Sequence, residues 1–139
     1  MSLYTSIRSA LQTQALTATG FPTTQVSYEG MRFDSTNKVT WSRFKLFPAV
    51  GDAFSVSAST IHHAGVFQVD LYGDPLHGTG ALETLADAVK AVFRPGTRLA
   101  SGGETIIIDS AMRASAIVAD PDWLHIPVSI RWRAYSSNN

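Results

Sequence analysis

Between Gly65 and Phe93 the hydrophobic pattern changes period once, and this change constrains the fold more than any other feature of the chain. In GVFQVDLY, Phe67, Val69 and Leu71 face one way while Gln68, Asp70 and Tyr72 face the other, the alternation of a strand with one buried side. A glycine-rich turn, GDPLHGTG, follows. Beyond it Leu82, Leu85, Ala86, Val89, Val92 and Phe93 form one stripe of a helix, with Glu83, Asp87 and Lys90 away from it. The helix has to stop near Phe93, because Arg94 precedes Pro95 and Pro95-Gly96 makes a turn. A one-sided strand that feeds a one-sided helix predicts a layer of helix on sheet.

A strand, a glycine turn and a helix also make the setting of a phosphate cradle, a chemistry with definite residue requirements. A P-loop needs a Lys followed by Ser or Thr after its last glycine. Gly73 and Gly78 have the spacing, but Thr79 and Gly80 stand where those residues belong. The next Lys, Lys90, is about three helical turns further on and points away. A dinucleotide fingerprint needs a third glycine where this chain has Glu83, a carboxylate at the place of the pyrophosphate. Glu83 suits a helix N-terminus without any ligand. The turn therefore reads as structural, with its glycines at unusual backbone dihedrals.

The rest of the chain fits one domain over residues 1–139. Ser2 to Ala18 has helical spacing, with Ser2 as N-cap and Gly20 and Pro22 as stop signals. Thr23 to Tyr28 suits a short strand. Glu29 to Thr40 loses all periodicity and reads as a long loop or β-arm. Trp41 to Phe47 alternates, but with mixed residues on both faces, which predicts partial burial or an edge. Pro48 to His63 is small and polar, a second candidate loop. Glu104–Asp109 and Met112–Ala119 are two candidate strands. Trp123 to Tyr135 is a long one, in which Pro127 predicts an edge position or a bulge. Ser136 to Asn139 reads as a frayed tail, and Thr97 to Gly103 as a loop. The fold class expected is α+β: a mixed, mostly antiparallel sheet packed with two main helices, plus a β-arm or long loops.

Chemistry is sparse. The chain has no cysteine, four histidines and a formal net charge of zero. Thiolate chemistry is excluded, and bulk charge implies no nucleic-acid or membrane contact. The N-terminus does not read as a signal peptide, no stretch approaches the ~20 apolar residues of a membrane span, and a cytoplasmic protein is the default expectation. His62 and His63 are adjacent, so on a strand they point to opposite faces. His77 and His125 have no metal-motif partner in sequence, and Asp70 with Asp74 is more simply a strand end and a turn. Arg131 and Arg133, with Ser129 and Tyr135, line one face of the last strand, an expected solvated face or partner contact. Of the three tryptophans, Trp123 follows a turn and is the one expected to act between molecules. Charge is segregated along the chain: Arg32, Lys38, Arg43 and Lys45 cluster early, while Asp52, Asp70, Asp74, Glu83 and Asp87 follow with Lys90 alone. A basic arm and an acidic surface can pair head to tail between copies.

Read as one string, GVFQVDLYGDPLHGTGALETLADAVKAVF, then GETIIID, then WLHIPVSIRWRAY resembles the tail terminator proteins of long-tailed bacteriophages. Gly65, Val69, Gly78, Gly80, Ala86, Phe93, Trp123, Pro127 and Val128 carry the pattern, and MRFDSTNKVTWSRFKLFPA matches more loosely through Phe33 and the Arg43–Pro48 stretch. The resemblance implies a small α+β protein without catalytic residues or cofactor, located in the virion tail and assembled in the host cytoplasm. It implies a hexameric ring of itself that caps the tail tube, ends tube polymerisation and joins tail to head. The partners it implies are the major tail tube protein, a head–tail connector or neck protein, and DNA passing through the lumen without sequence-specific binding. By their chemistry, Arg32, Phe33, Lys38, Trp41, Arg43, Lys45, His62, His63, Arg98 and Trp123 are the expected ring or tube contacts. Alternatives are another neck component, a small nucleotide- or metal-dependent hydrolase built on the Gly73–Gly80 turn, and a DNA-binding adaptor using Arg131 and Arg133.

Overall fold

A computed structural model describes residues 3–36, 38–48, 54–57, 60–77, 79–101, 104–114, 117–119 and 123–137. Helix α1 spans Leu3–Thr19 and places Ile7, Leu11 and Ala15 one turn apart on a fully buried stripe. Gly20 takes φ +65° and its N–H donates to the Leu16 carbonyl at 2.9 Å, a left-handed glycine closing the helix as the sequence suggests. Ser2 lies outside the described residues. A 3₁₀ turn at Thr23–Gln25 leads into strand β1, Val26–Ser27. The described residues from Glu29 to Val39 then run as loop, and β2 is Thr40–Pro48.

The segment expected as a second loop instead holds strand β3, Phe54–Ser57, and the first residues of β4, which runs Thr60–Gly73. Helix α2 is Gly80–Val92. Strands β5 (Arg98–Ser101), β6 (Glu104–Arg113), β7 (Ile117–Ala119) and β8 (Trp123–Ser137) complete the chain. Of the loop expected at Thr97 to Gly103, Arg98–Ser101 is strand and Gly102 and Gly103 lie outside the described residues, while Ser136 and Ser137 extend β8, where a frayed tail was expected.

The eight strands form one sheet in the order β1-β2-β4-β8-β6-β5, with β3 also paired to β4 and β7 to β8. Among the described residues only β1 runs parallel to its neighbour. Both helices pack on one face, as an α+β layer requires. Register explains the core: Leu46, Phe67 and Ile130 stand in one row, and Phe44, Val69 and Val128 in the next. All six are buried beneath Leu82, Ala86 and Val89 of α2, Phe93 at its end, and the α1 stripe. The Gln14 side-chain amide donates to the Val92 carbonyl at 2.7 Å and ties the two helices together.

Two expectations about strands are corrected. Pro127 sits on β8, which is central, with β4 on one side and β6 and β7 on the other. It fits because β6 last pairs at Val128 and β7 begins at His125, so Pro127 faces the gap between them. Its carbonyl points into that gap and accepts from Ala114 N–H at 3.2 Å, and its absent N–H would point the same way. The second correction concerns the apolar run at Glu104–Asp109. Strand β6 continues to Arg113 through a register shift between Ile108 and Ser110, a bulge that flips the alternation.

The glycine turn is also simpler than expected. Neither Gly73 nor Gly80 has a positive φ. Gly73 is buried against Leu82, where an added Cβ would stand 3.4 Å from its side chain, so the glycine serves close strand–helix approach. Gly78 lies outside the described residues. Gly96, at φ +89°, is the left-handed glycine of the Pro95-Gly96 turn.

Candidate functional site: the open face of the sheet

The outward residues of β2, β4, β8 and β6 lie on the face that no helix covers. At one end an aromatic stack crosses three strands. Trp41, Tyr72 and His125 occupy one row of the register. Tyr72 stacks on Trp41 at 4.1 Å and 10°, and His125 on Tyr72 at 4.6 Å and 6°. Phe33, from the loop before β2, covers the other side of Trp41 at 4.7 Å, and Trp123 meets Trp41 edge-on at 5.8 Å. The Arg43 guanidinium lies 5.5 Å from both the Trp41 and the Tyr72 ring centres, a cation–π contact with each. Trp41 is 5% exposed, and its Nε1 has no hydrogen-bond partner among the described residues, so the cluster is held by its rings.

Beside the stack, Asp70 is 3% exposed. One carboxylate oxygen accepts from Gln68 Nε2 at 2.7 Å and meets His125 Nε2 at 2.9 Å. Burial pushes the Asp70 carboxyl upward, but the bonds from His125 and Gln68 and the nearby charge of Lys45 outweigh it and hold the pKa below its ordinary value. The carboxylate is thus charged at neutral pH and locks His125 in the plane that stacks on Tyr72.

Beyond Asp70 the middle of this face is open. A groove of about 400 Å³ is lined by Val66, Ser110, Met112, Pro127, Ser129 and Arg131, among others. Met112 is 68% exposed, and Phe47, beside Val66 in the register, is 48% exposed. Arg133 sits 3.1 Å from Asp109 as a charge contact without hydrogen-bond alignment, and Arg113 donates to Asp87 of α2 at 2.7 Å.

The structure brings Phe33, Trp41, Arg43 and Trp123 into one cluster, with Lys45 adjoining through Asp70. Arg32 is exposed in the covering loop, and Lys38 is half-buried there; both line a second groove with Tyr28, Met31 and Phe33. Arg98 is exposed on β5 at the far edge of the sheet. His63 is buried on the helix side, opposite Ala134, away from this cluster. The His62 backbone pairs with Phe54 and Tyr135, and its side chain lies outside the described residues. Tyr72, Gln68 and His125 belong to the cluster although sequence spacing did not single them out. Their one signal was the outward phase of their strands. Among the described residues no three His, Asp or Glu side chains converge as a metal site. In the glycine turn the charged groups are Asp74, which accepts from Leu76 N–H at 2.9 Å, and Glu83, with no cation in the turn to hold a phosphate.

A family model described as phage tail terminator protein matches residues 6–132. The chain belongs to the phage tail terminator family. Terminators of this family are structural proteins of the phage tail, which locates this chain in the virion tail. The match runs from within α1 to within β8 and includes α2. Solved structures agree on the fold. One, whose name states no function, superposes with a TM-score of 0.75 at 20% identity, covering 96% of each chain. Another is a chain from the virion of a native gene transfer agent particle, with a TM-score of 0.66 at 17% identity, covering 97% of this chain and 98% of that one. No curated protein sequence matches the chain.

Proposed function

We propose that this terminator works as a ring of six copies that seats on the last ring of the tail tube, stops the tube from growing and offers the surface that joins tail to head. The observation that carries this reading is the family match over residues 6–132, together with a sheet face that neither described helix covers. An aromatic cluster braced by a buried ion-dipole network gives that face one rigid end, and rigid apolar surface is what protein docking uses. The role is structural rather than catalytic. Its partners are further copies of itself, the major tail tube protein and a connector or neck protein, with DNA crossing the lumen unread. The test is to polymerise the cognate tube protein with and without this chain and to measure tube lengths by electron microscopy. Substoichiometric terminator should shorten the tubes and appear at one end of each. Tubes of unchanged length with bare ends refute the proposal.

A further inference from the structure

We infer that the copies join head to tail through a knob and a groove: Leu76 of one copy inserts into the Val66–Met112–Pro127 groove of the next. The inference rests on the ring reading above and names the surfaces that build it.

Leu76 lies in the 3₁₀ turn Pro75–His77 and is 91% exposed, the most exposed large apolar side chain described. Its position is fixed, because Asp74 caps its N–H and Asp74 N–H itself donates to the Val39 carbonyl at 2.9 Å. That bond brings Val39, 48% exposed, to the base of the turn. A rigid turn that holds a leucine in water fits a use between molecules. The groove is the complementary feature: Val66, Met112, Ala114 and Pro127 give it its apolar lining, and Phe47 stands beside Val66 in the register.

The two features cannot meet within one chain. Leu76 is 91% exposed and so does not enter the groove of its own chain, whose near wall, Pro127, stands opposite Asp70, three residues or about 10 Å before Gly73 at ~3.3 Å per residue. A knob and a groove on separate patches make a heterologous contact, which closes into rings when the rotation allows. Charge is complementary as well. Around the groove, Arg113 is taken by Asp87, Arg133 by Asp109, and Lys45 lies by Asp70. Arg131, which is exposed and has no such partner among the described residues, is the cation left over. Around the knob Asp74 and Glu83 outnumber Lys38, so the neighbour brings net negative charge to Arg131.

The experiment uses the full chain. Solution mass is measured by light scattering for the wild type, Leu76→Glu, Leu76→Ser, Met112→Glu and an equimolar mixture of Leu76→Glu with Met112→Glu. Both sites are exposed, and circular dichroism confirms that each variant is folded. The expected result is a wild-type ring of several times 15.0 kDa. Each variant should need about 30-fold more protein to associate, the effect of losing an interface hot spot. The mixture should give pairs and nothing larger, since Leu76→Glu keeps only a groove and Met112→Glu only a knob. Wild-type rings that persist in both variants overturn the knob and groove and leave the ring reading standing. Variants that form rings but no longer shorten tubes reassign these surfaces to the tube protein and also overturn the inference. A closed wild-type dimer, or a monomer at the highest soluble concentration, overturns the inference; a monomer that still shortens tubes separates its failure from that of the terminator reading.

Discussion

Replacing Asp70 by Asn tests whether the open face is organised by a charge. The substitution keeps the size of the side chain and removes only the negative charge. Asp70 accepts two hydrogen bonds, from Gln68 and His125. A bond to an ionised group contributes ~1.5–3 kcal/mol and a neutral one ~0.5–1.5, so losing the charge forfeits roughly 1–1.5 kcal/mol per bond and about 2–3 kcal/mol in all. That is a large share of the ~5–15 kcal/mol that holds a domain of this kind. The pH dependence gives the test its direction. The folded pKa of Asp70 lies below its unfolded value, so between the two values the unfolded chain binds more protons. The stabilisation is therefore complete above the unfolded value near 3.9 and fades as pH falls through the folded one. Urea unfolding of wild type and Asp70→Asn should differ by about 2–3 kcal/mol at pH 7 and pH 5, with the gap shrinking below pH ~4 as wild-type Asp70 becomes protonated. A gap that stays constant down to pH 3, or a variant more stable than wild type at pH 7, refutes the assignment of Asp70 as a charged brace.

Three further outcomes follow from the packing. Phe93 is fully buried against Phe67 with ring centres 6.2 Å apart, and Phe93→Ala should cost about 3–5 kcal/mol in denaturant unfolding. Gly20→Ala should cost about 1–2 kcal/mol, because φ +65° strains any L side chain there, and should lower helical signal on mild heating. Asp87→Ala breaks the contact with Arg113, but the Asp87 side chain is 60% exposed, so the loss should stay below about 1 kcal/mol and vanish in high salt.

The elements legible in the sequence were those with an unbroken period. The α1 and α2 stripes and the alternation of β8 carry enough large apolar residues to state which side is buried. Strand β3 and the start of β4 were not legible, because their sequence is short of large side chains and their pairing is decided by neighbours. The bulge after Ile108 is a different failure. It shifts the alternation by one residue, so β6 reads as ending at Asp109 and its last residues read together with β7 as the strand Met112–Ala119. Pro127 misled for a related reason: a proline is barred only where its missing donor faces a partner, and the gap between β6 and β7 is invisible along the chain. The site was half legible. Trp41, Arg43 and Trp123 were singled out by type. Asp70 and His125 lie 55 residues apart and meet only through the β4–β8 register.

That register also ties the open face to the core. On β4, Phe67, Val69 and Leu71 point to the helices, and Val66, Gln68, Asp70 and Tyr72 therefore point away. A slip of one residue against β8 would exchange the two sets and put a carboxylate beneath α2. The aromatic stack, the Asp70 brace and the Val66 end of the groove are thus held in place by the same contacts that bury the core. The groove edge on β6 is held differently: Met112 faces outward only because the bulge after Ile108 reverses the phase. Deleting the bulged residue Asp109 removes the extra residue and leaves Ser110, Ala111 and Met112 opposite Arg131, Ile130 and Ser129, so Met112 still faces outward. Association between copies should therefore match wild type, and the β4–β8 stack, read from the near-ultraviolet circular dichroism of Trp41 and Tyr72, should stay intact. A deletion variant that folds but no longer associates would refute the outward phase of Met112 as what β6 supplies to the groove.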